Sequence, residues 1–305
     1  MGEPSVEALY EQVRTAVPPA PGEVPDALLP VAPGIRVLAL RTPTLPPAAH
    51  TNMYLVGPER GPQLAIDPGS PYADQQALLA RTIADEAAAG RPLAMVLLTH
   101  HHGDHVGGAA ALAAAHGVPI AAHPNTARRL AGKIPVTREL ADREVLADQA
   151  VTCVYTPGHA DGHLCFEHGE ASVVGDMVAG LGWILVDPVE GNMSQYLASL
   201  QTLLARPATR LLPAHGPMIA DGPAKLREYI HHRTMREERV LAALAAHADT
   251  AVLGGAGLAE LMPSAYADTP RPLWPLAQRV LRAHLDKLVG EGRAREVAPE
   301  RWTTG

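Results

Sequence analysis

Apolar residues return in short runs between Ile35 and Pro213, and turn signals separate them. IRVLALR (35–41), NMYLVG (52–57) and QLAID (63–67) predict strands, the last ending in the turn DPGSP. Residues 73–89 are alanine-rich and helical in pattern. LAMVLLT (93–99) is apolar throughout, as a strand buried on both faces would be. VGGAAALAAAHG (106–117) follows as a helix ended by Gly117, and VPIAAH (118–123) as a strand. The texture then repeats. AVTCVYTPGH (150–159), HLCFEHG (163–169) and ASVVGD (171–176) predict strands, MSQYLASLQTLLAR (193–206) an amphipathic helix, and TRLLPAHG (209–216) a strand entering a loop. Two strand-rich halves with helices attached predict a layered α/β domain, sheet on sheet with helices outside.

The flanks differ. Residues 1–34 predict one short helix and then a proline-rich extended arm on the surface, AVPPAPGEVPDALLPVAPG. From about residue 222 the pattern becomes a long charged helix (226–247), two further helices (258–266 and 274–292) and a hairpin (294–305). Three helices and a two-stranded wing describe a winged-helix module. The expected division is an arm at 1–34, a main α/β domain at 35–221 and a winged-helix-like domain at 222–305. No repeat of 20 to 50 residues is visible.

Composition narrows the class. The 305 residues are 47% apolar and 19% charged, with a single phenylalanine, so aliphatic side chains must form the core. A formal charge of −7 is not that of a general nucleic-acid binder. Cys153 and Cys165 lie in apolar runs and form no C-x-x-C pair, which predicts two buried reduced thiols. The acidic start MGEPSVEALYEQV is not a secretory signal, and no stretch reaches the roughly 18 apolar residues of a membrane helix. The expected location is the cytoplasm, with no membrane partner.

Candidate chemistry centres on THHHGDHVGG (99–108), where a buried strand gives way to a helix. Alternation along an extended chain sends His100 and His102 one way and His101 the other. Asp104 and His105 stand where the chain reverses. His100, His102, Asp104 and His105 can therefore converge, and imidazole with carboxylate is a donor set for zinc and similar metals. HHGDH lacks the glutamate of a zincin helix. Three further donors end strands elsewhere: His159 in TPGHADGH, Asp176 in VVGDM and His215 in LLPAHGP.

The series H-x-H-x-D-H, PGH, GD and a last GH-type loop resembles the metallo-β-lactamase superfamily over roughly residues 35 to 220. TNMYLVG and IDPG (66–69) resemble its opening strands. The tail resembles the beta-lactamase-like protein 2 group. The resemblance implies an αββα sandwich with two divalent metal ions, zinc by expectation, at one edge. His100, His102 and His159 would hold the first, Asp104, His105 and His215 the second, and Asp176 would bridge them. The activity implied is hydrolysis by a metal-bridging hydroxide, with Asp104 also handling the proton. Asp67 would support the ligand loop, and His163 is either a substrate or second-layer group or a structural histidine.

Asp176 is present where true β-lactamases of the superfamily lack it, which turns the reading toward glyoxalase-II-like, ribonuclease-like and thioesterase-like members. His102, where flavodiiron relatives carry glutamate, argues against di-iron oxygen chemistry. The stretch from Asp176 to His215 is too short for the nuclease insertion. The expected substrate is a small acyl ester, thioester or lactone. A single-strand endoribonuclease acting on RNA is the alternative, and an inactive winged-helix regulator is a third reading that the complete donor set disfavours. Trp183 either walls the site or packs in the core. The winged module, poor in basic residues on its third helix, is expected to roof the site or to form a homodimer contact.

Overall fold

The computed structural model describes residues 6–20, 24–247 and 254–305. The start of the acidic N-terminal stretch (1–5), part of the proline-rich arm (21–23) and the junction at 248–253 lie outside the described residues.

The first sheet has seven strands in sequence order: β1 (Leu29–Ala32), β2 (Ile35–Arg41), β3 (His50–Val56), β4 (Gln63–Ile66), β5 (Leu93–Leu97), β6 (Ile120–Ala122) and β7 (Arg138–Glu139). β1 to β4 pair antiparallel and β4 to β7 parallel. The second sheet runs β12 (Arg210–Pro213), β11 (Ala171–Gly175), β10 (Leu164–His168), β9 (Val151–Tyr155) and β8 (Val145–Leu146). β11 and β12 are parallel and the other neighbours antiparallel.

Period-two alternation decides which layer each side chain enters. On β3, Tyr54 and Val56 join Phe166, Leu164 and Cys153 between the sheets, whereas Met53 and Leu55 face the helices. Those helices include α2 (Ala73–Ala88), α4 (Ala109–His116) and α5 (Pro124–Leu130). On the far side, Val154, Cys165 and Val174 meet α6 (Met193–Leu204) and α7 (Gly222–Ala246). The layers are therefore αββα. Cys153 and Cys165, in different layers, are unpaired and buried. Burial pushes both thiols up to about 12.

The C-terminal module comprises α8 (Leu258–Ala265), α9 (Trp274–Gly290) and a hairpin of β13 (Ala294–Ala298) and β14 (Arg301–Thr304). Its Leu281, Leu285 and Trp302 share one core cluster with α6 and α7. The module is packed onto the sandwich rather than hung from it. Among the described residues no helix is long and apolar enough to cross a membrane.

One local reading changes. Part of the stretch read as a surface arm is β1, an edge strand paired with β2. Pro30 is tolerated there because an edge strand has one unpaired side. The predicted short N-terminal helix is α1 (Val6–Ala16), and it packs on α9. The short helix α5 carries no periodic signal; His123 caps it by accepting from the Asn125 N–H, with Pro124 at its first turn.

Candidate metal centre

Five loops bring the donors together, each leaving the C-terminal end of a strand. THHHGDH follows β5 and enters the short helix α3 (Gly103–Val106), while Asp67, His159, Asp176 and His215 follow β4, β9, β11 and β12. Open α/β sheets place ligands at such strand ends. The ligand turn needs a close backbone approach from the DPG turn after β4. A Cβ on Gly69 would stand 1.8 Å from the Asp104 carbonyl oxygen, so only glycine fits.

All seven predicted donors fall in two adjacent groups. In the first, His100 Nε2, His102 Nδ1 and His159 Nε2 form a triangle with edges of 2.9, 3.2 and 3.1 Å. Tetrahedral ligation at zinc–nitrogen distances separates neighbouring nitrogens by about 3.3 Å. Asp176 Oδ2 joins this group 3.5 Å from His159 Nε2. In the second, His215 Nε2 lies 3.5 Å from Asp104 Oδ2, and His105 Nε2 lies 3.9 Å from Asp104 Oδ1. The other Asp176 oxygen, Oδ1, is 3.3 Å from His215 Nε2 and 3.6 Å from His105 Nε2. One carboxylate thus offers an oxygen to each group.

The outward nitrogen of each histidine is held by a neighbour, which frees the inward one. His159 Nδ1 donates to the Leu185 carbonyl at 2.7 Å and His215 Nδ1 to the His50 carbonyl at 3.0 Å. His105 Nδ1 donates to Asp67 Oδ2 at 2.8 Å. Thr99 Oγ1 donates to the same oxygen at 2.6 Å and accepts from His100 Nδ1 at 3.0 Å. His102 Nε2 faces Glu190 Oε2 at 3.4 Å. Such outer bonds fix the tautomer and aim the lone pair. His105 Nε2 and Asp176 Oδ1 are buried with no hydrogen-bond partner among the described residues. Two orphaned polar atoms among imidazole and carboxylate donors fit divalent cations.

Electrostatics divides the groups. Burial, with the neighbouring histidines, drives His100 well below its ordinary value and His159 down to about 4. For His105 and His215, burial works against protonation, but Asp176 and Asp104 outweigh it and raise both. The two carboxylates draw positive charge into the second group.

His163 lies behind the donors, buried. Its Nε2 accepts from the Asp176 N–H at 3.2 Å and its Nδ1 donates to Thr156 Oγ1 at 2.9 Å. Asp67 adopts a positive φ of 53° and also accepts from the Thr99 N–H at 2.8 Å. His101 turns away from the donor triangle, as alternation requires, but still lines the cavity. The loop between β11 and α6 closes over that side, and Glu190 Oε2 meets His101 Nε2 at 2.6 Å. His101 and then His102 hold the Glu190 carboxyl far below the usual carboxylate range. Nothing in the sequence singled out Glu190, an acid in a loop with no spacing signal.

Five of the donors, His102, Asp104, His159, Asp176 and His215, floor a cavity of about 1130 Å³. Tyr10 of α1, Trp183, and Leu276, Ala277 and Val280 of α9 wall it, so the winged module is its roof. Trp183 is 47% exposed at the rim and stacks on His232, with ring centroids 3.8 Å apart.

A family model described as the metallo-beta-lactamase superfamily matches residues 46–215, and one described as the beta-lactamase associated winged helix domain matches residues 258–302. The chain belongs to the metallo-beta-lactamase superfamily, as a hydrolase with a His/Asp cluster suited to metal. It is 35% identical to a lactamase-like protein of Penicillium aethiopicum, over 72% of this chain and 71% of that one. It is 32% identical to an atrochrysone carboxyl ACP thioesterase of Passalora fulva, over 80% and 72%. Over 86% and 89%, it is 28% identical to the beta-lactamase-like protein 2 homolog of Drosophila melanogaster. In fold it resembles a metallo-beta-lactamase family protein of Thermus thermophilus, with a TM-score of 0.69 at 23% identity, covering 90% and 99%.

Proposed function

We propose that the protein is a binuclear metal hydrolase acting on a small acyl ester, thioester or lactone. The observation that carries this reading is the pair of donor groups sharing Asp176 at the floor of a roofed, largely apolar cavity. His100, His102 and His159 would hold one ion, Asp104, His105 and His215 the other, and Asp176 both. Zinc suits this mixture of imidazole and carboxylate. Two such ions would supply Lewis acidity toward a substrate oxygen and make water acidic enough to attack near neutral pH.

The chain's own residues do the rest. Asp104 is the more open of the two carboxylates and takes up the proton of the attacking water at its side-chain oxygen. Asp67 orients His105 directly and His100 through Thr99, while His163 fixes the backbone of Asp176. The roof from α9 excludes bulk water and accommodates an apolar acyl chain. The relative named as an acyl-carrier-protein thioesterase supports this substrate class over RNA. The catalytic unit is taken as residues 35–221, preceded by an arm at 1–34 and followed by the winged-helix-like unit 222–305. Two unpaired buried thiols support a cytoplasmic setting.

A panel of esters, thioesters and lactones, with labelled single-stranded RNA beside it, tests the reading on wild type and Asp104→Asn. Acyl turnover that the variant loses is expected. RNA cleavage lost in the variant, with no acyl turnover, would overturn the substrate class.

A further inference from the structure

A buried guanidinium with no carboxylate partner among the described residues stands in the wall of the cavity. Arg233, on α7, is 3% exposed and lines the cavity. Its Nη2 donates to the Ile184 carbonyl, its plane centre lies 5.2 Å from the Tyr196 ring centroid, and its Nε meets no acceptor. Among the described residues no carboxylate lies within ion-pair distance of it. The nearby acids are engaged elsewhere. Asp268 pairs with Arg236 at 2.9 Å, Glu237 with Lys287 at 2.6 Å, and Asp187 with Arg279 at 2.7 Å. A buried cation is ordinarily matched by an anion, because desolvation is costly.

The surrounding wall repeats the pattern. Tyr266 and His232 also line the cavity, and the Tyr266 hydroxyl and His232 Nδ1 are buried with no hydrogen-bond partner among the described residues. Arg233, Arg236 and Lys287 add to burial in holding His284, just behind, well below its ordinary protonation range. The rest of this end combines the apolar Leu273, Leu276 and Val280 with the Arg236–Asp268 ion pair, whose charges already match. A nucleic-acid strand would need cations spaced along its phosphates. One guanidinium left unpaired, beside an Arg236 that Asp268 already neutralises, instead suits a single carboxylate.

We propose that this wall is a recognition subsite for a second, distal carboxylate on the acyl substrate, with Arg233 as its ion-pair partner and Tyr266 and His232 as hydrogen-bond groups beside it. The subsite rests on the acyl-hydrolase reading for its substrate. Arg233 acts here as a specificity residue, remote from the reacting atoms.

The test uses the metal-loaded full chain and matched ligands. Heptanedioyl monothioester is compared with its distal monoamide, and heptanedioate with its monoamide by calorimetry. In wild type the charged thioester should show about tenfold higher kcat/KM, and the diacid about tenfold tighter binding. Arg233→Met should erase both differences, and Arg233→Lys should keep part of each. The wild-type comparison alone decides the matter if Arg233→Met does not fold. Thioester turnover with no preference for charge overturns the subsite and leaves the hydrolase reading standing. Charge-dependent, Arg233-dependent binding without any acyl turnover supports the subsite and overturns the hydrolase reading. Equal binding of diacid and monoamide in wild type overturns the subsite.

Discussion

Arg279 grips Asp187 with both arms of its guanidinium, Nε at 2.8 Å and Nη2 at 2.7 Å from the two carboxylate oxygens. Arg279 belongs to the winged module, and Asp187 to the loop between β11 and α6. That loop also holds the Leu185 carbonyl on His159 and the Glu190 carboxylate beside His101 and His102. One ion pair therefore couples the roof to the outer partners of two proposed ligands. Asp187 is 4% exposed, so losing its partner leaves a buried charge. Arg279→Met should cost about 3 kcal/mol of stability. It should also lower kcat/KM, because loop and ligands loosen together. Arg279→Lys should recover only part, since lysine cannot bind both oxygens. Denaturant unfolding and steady-state kinetics check this; unchanged values for Arg279→Met would contradict the coupling.

His101 and His102 separate the donors from their neighbours. His101→Ala should retain the metal content of wild type, because His101 bonds Glu190 and not the donor triangle. His102→Ala removes one corner of that triangle and should lose metal and activity. Metal analysis of the two variants side by side decides it.

Asp67 supports both groups without joining either. It accepts from the Thr99 N–H, the Thr99 hydroxyl and His105 Nδ1. Asp67→Ala should weaken metal affinity by roughly 10- to 100-fold, the usual cost of losing such an outer partner. Competition with a chelator of known affinity measures the change.

The donors were legible because metal chemistry constrains spacing: His100, His102, Asp104 and His105 must share one turn, and a turn is local. The partners of those donors were not. Glu190 reaches His101 across a loop closure. Arg233 sits on a helix that reads only as long and charged, and Arg279 on one expected to roof the site; packing of the winged module buries Arg233 and pairs Arg279 with Asp187. Strand β1 was hidden by prolines that read as a free arm. The layers followed from periodicity, because each strand buries two faces. What periodicity cannot carry is a contact made between distant segments.

His284 should set part of the acid sensitivity of the fold. It is buried, with both ring nitrogens unpartnered. Burial first, and then Arg233 and Lys287, depress its folded value well below 6.5. Below pH 6.5 the unfolded chain takes up a proton here that the folded chain refuses. Stability is therefore full above that pH and falls as pH drops toward the depressed value, by up to about 1.4 kcal/mol per pH unit. His284→Leu should flatten the fall between pH 6.5 and 5.5, measured by denaturant unfolding of both proteins. A slope equal to that of wild type would contradict the assignment.

Everything proposed for catalysis rests on a two-ion centre built on Asp176. Metal-to-protein stoichiometry, measured by mass spectrometry on active protein purified without chelator, is its sharpest test. About two divalent ions per chain are expected, zinc foremost. Protein that hydrolyses its substrate fully while holding no metal, or a single ion, would contradict the two-ion centre.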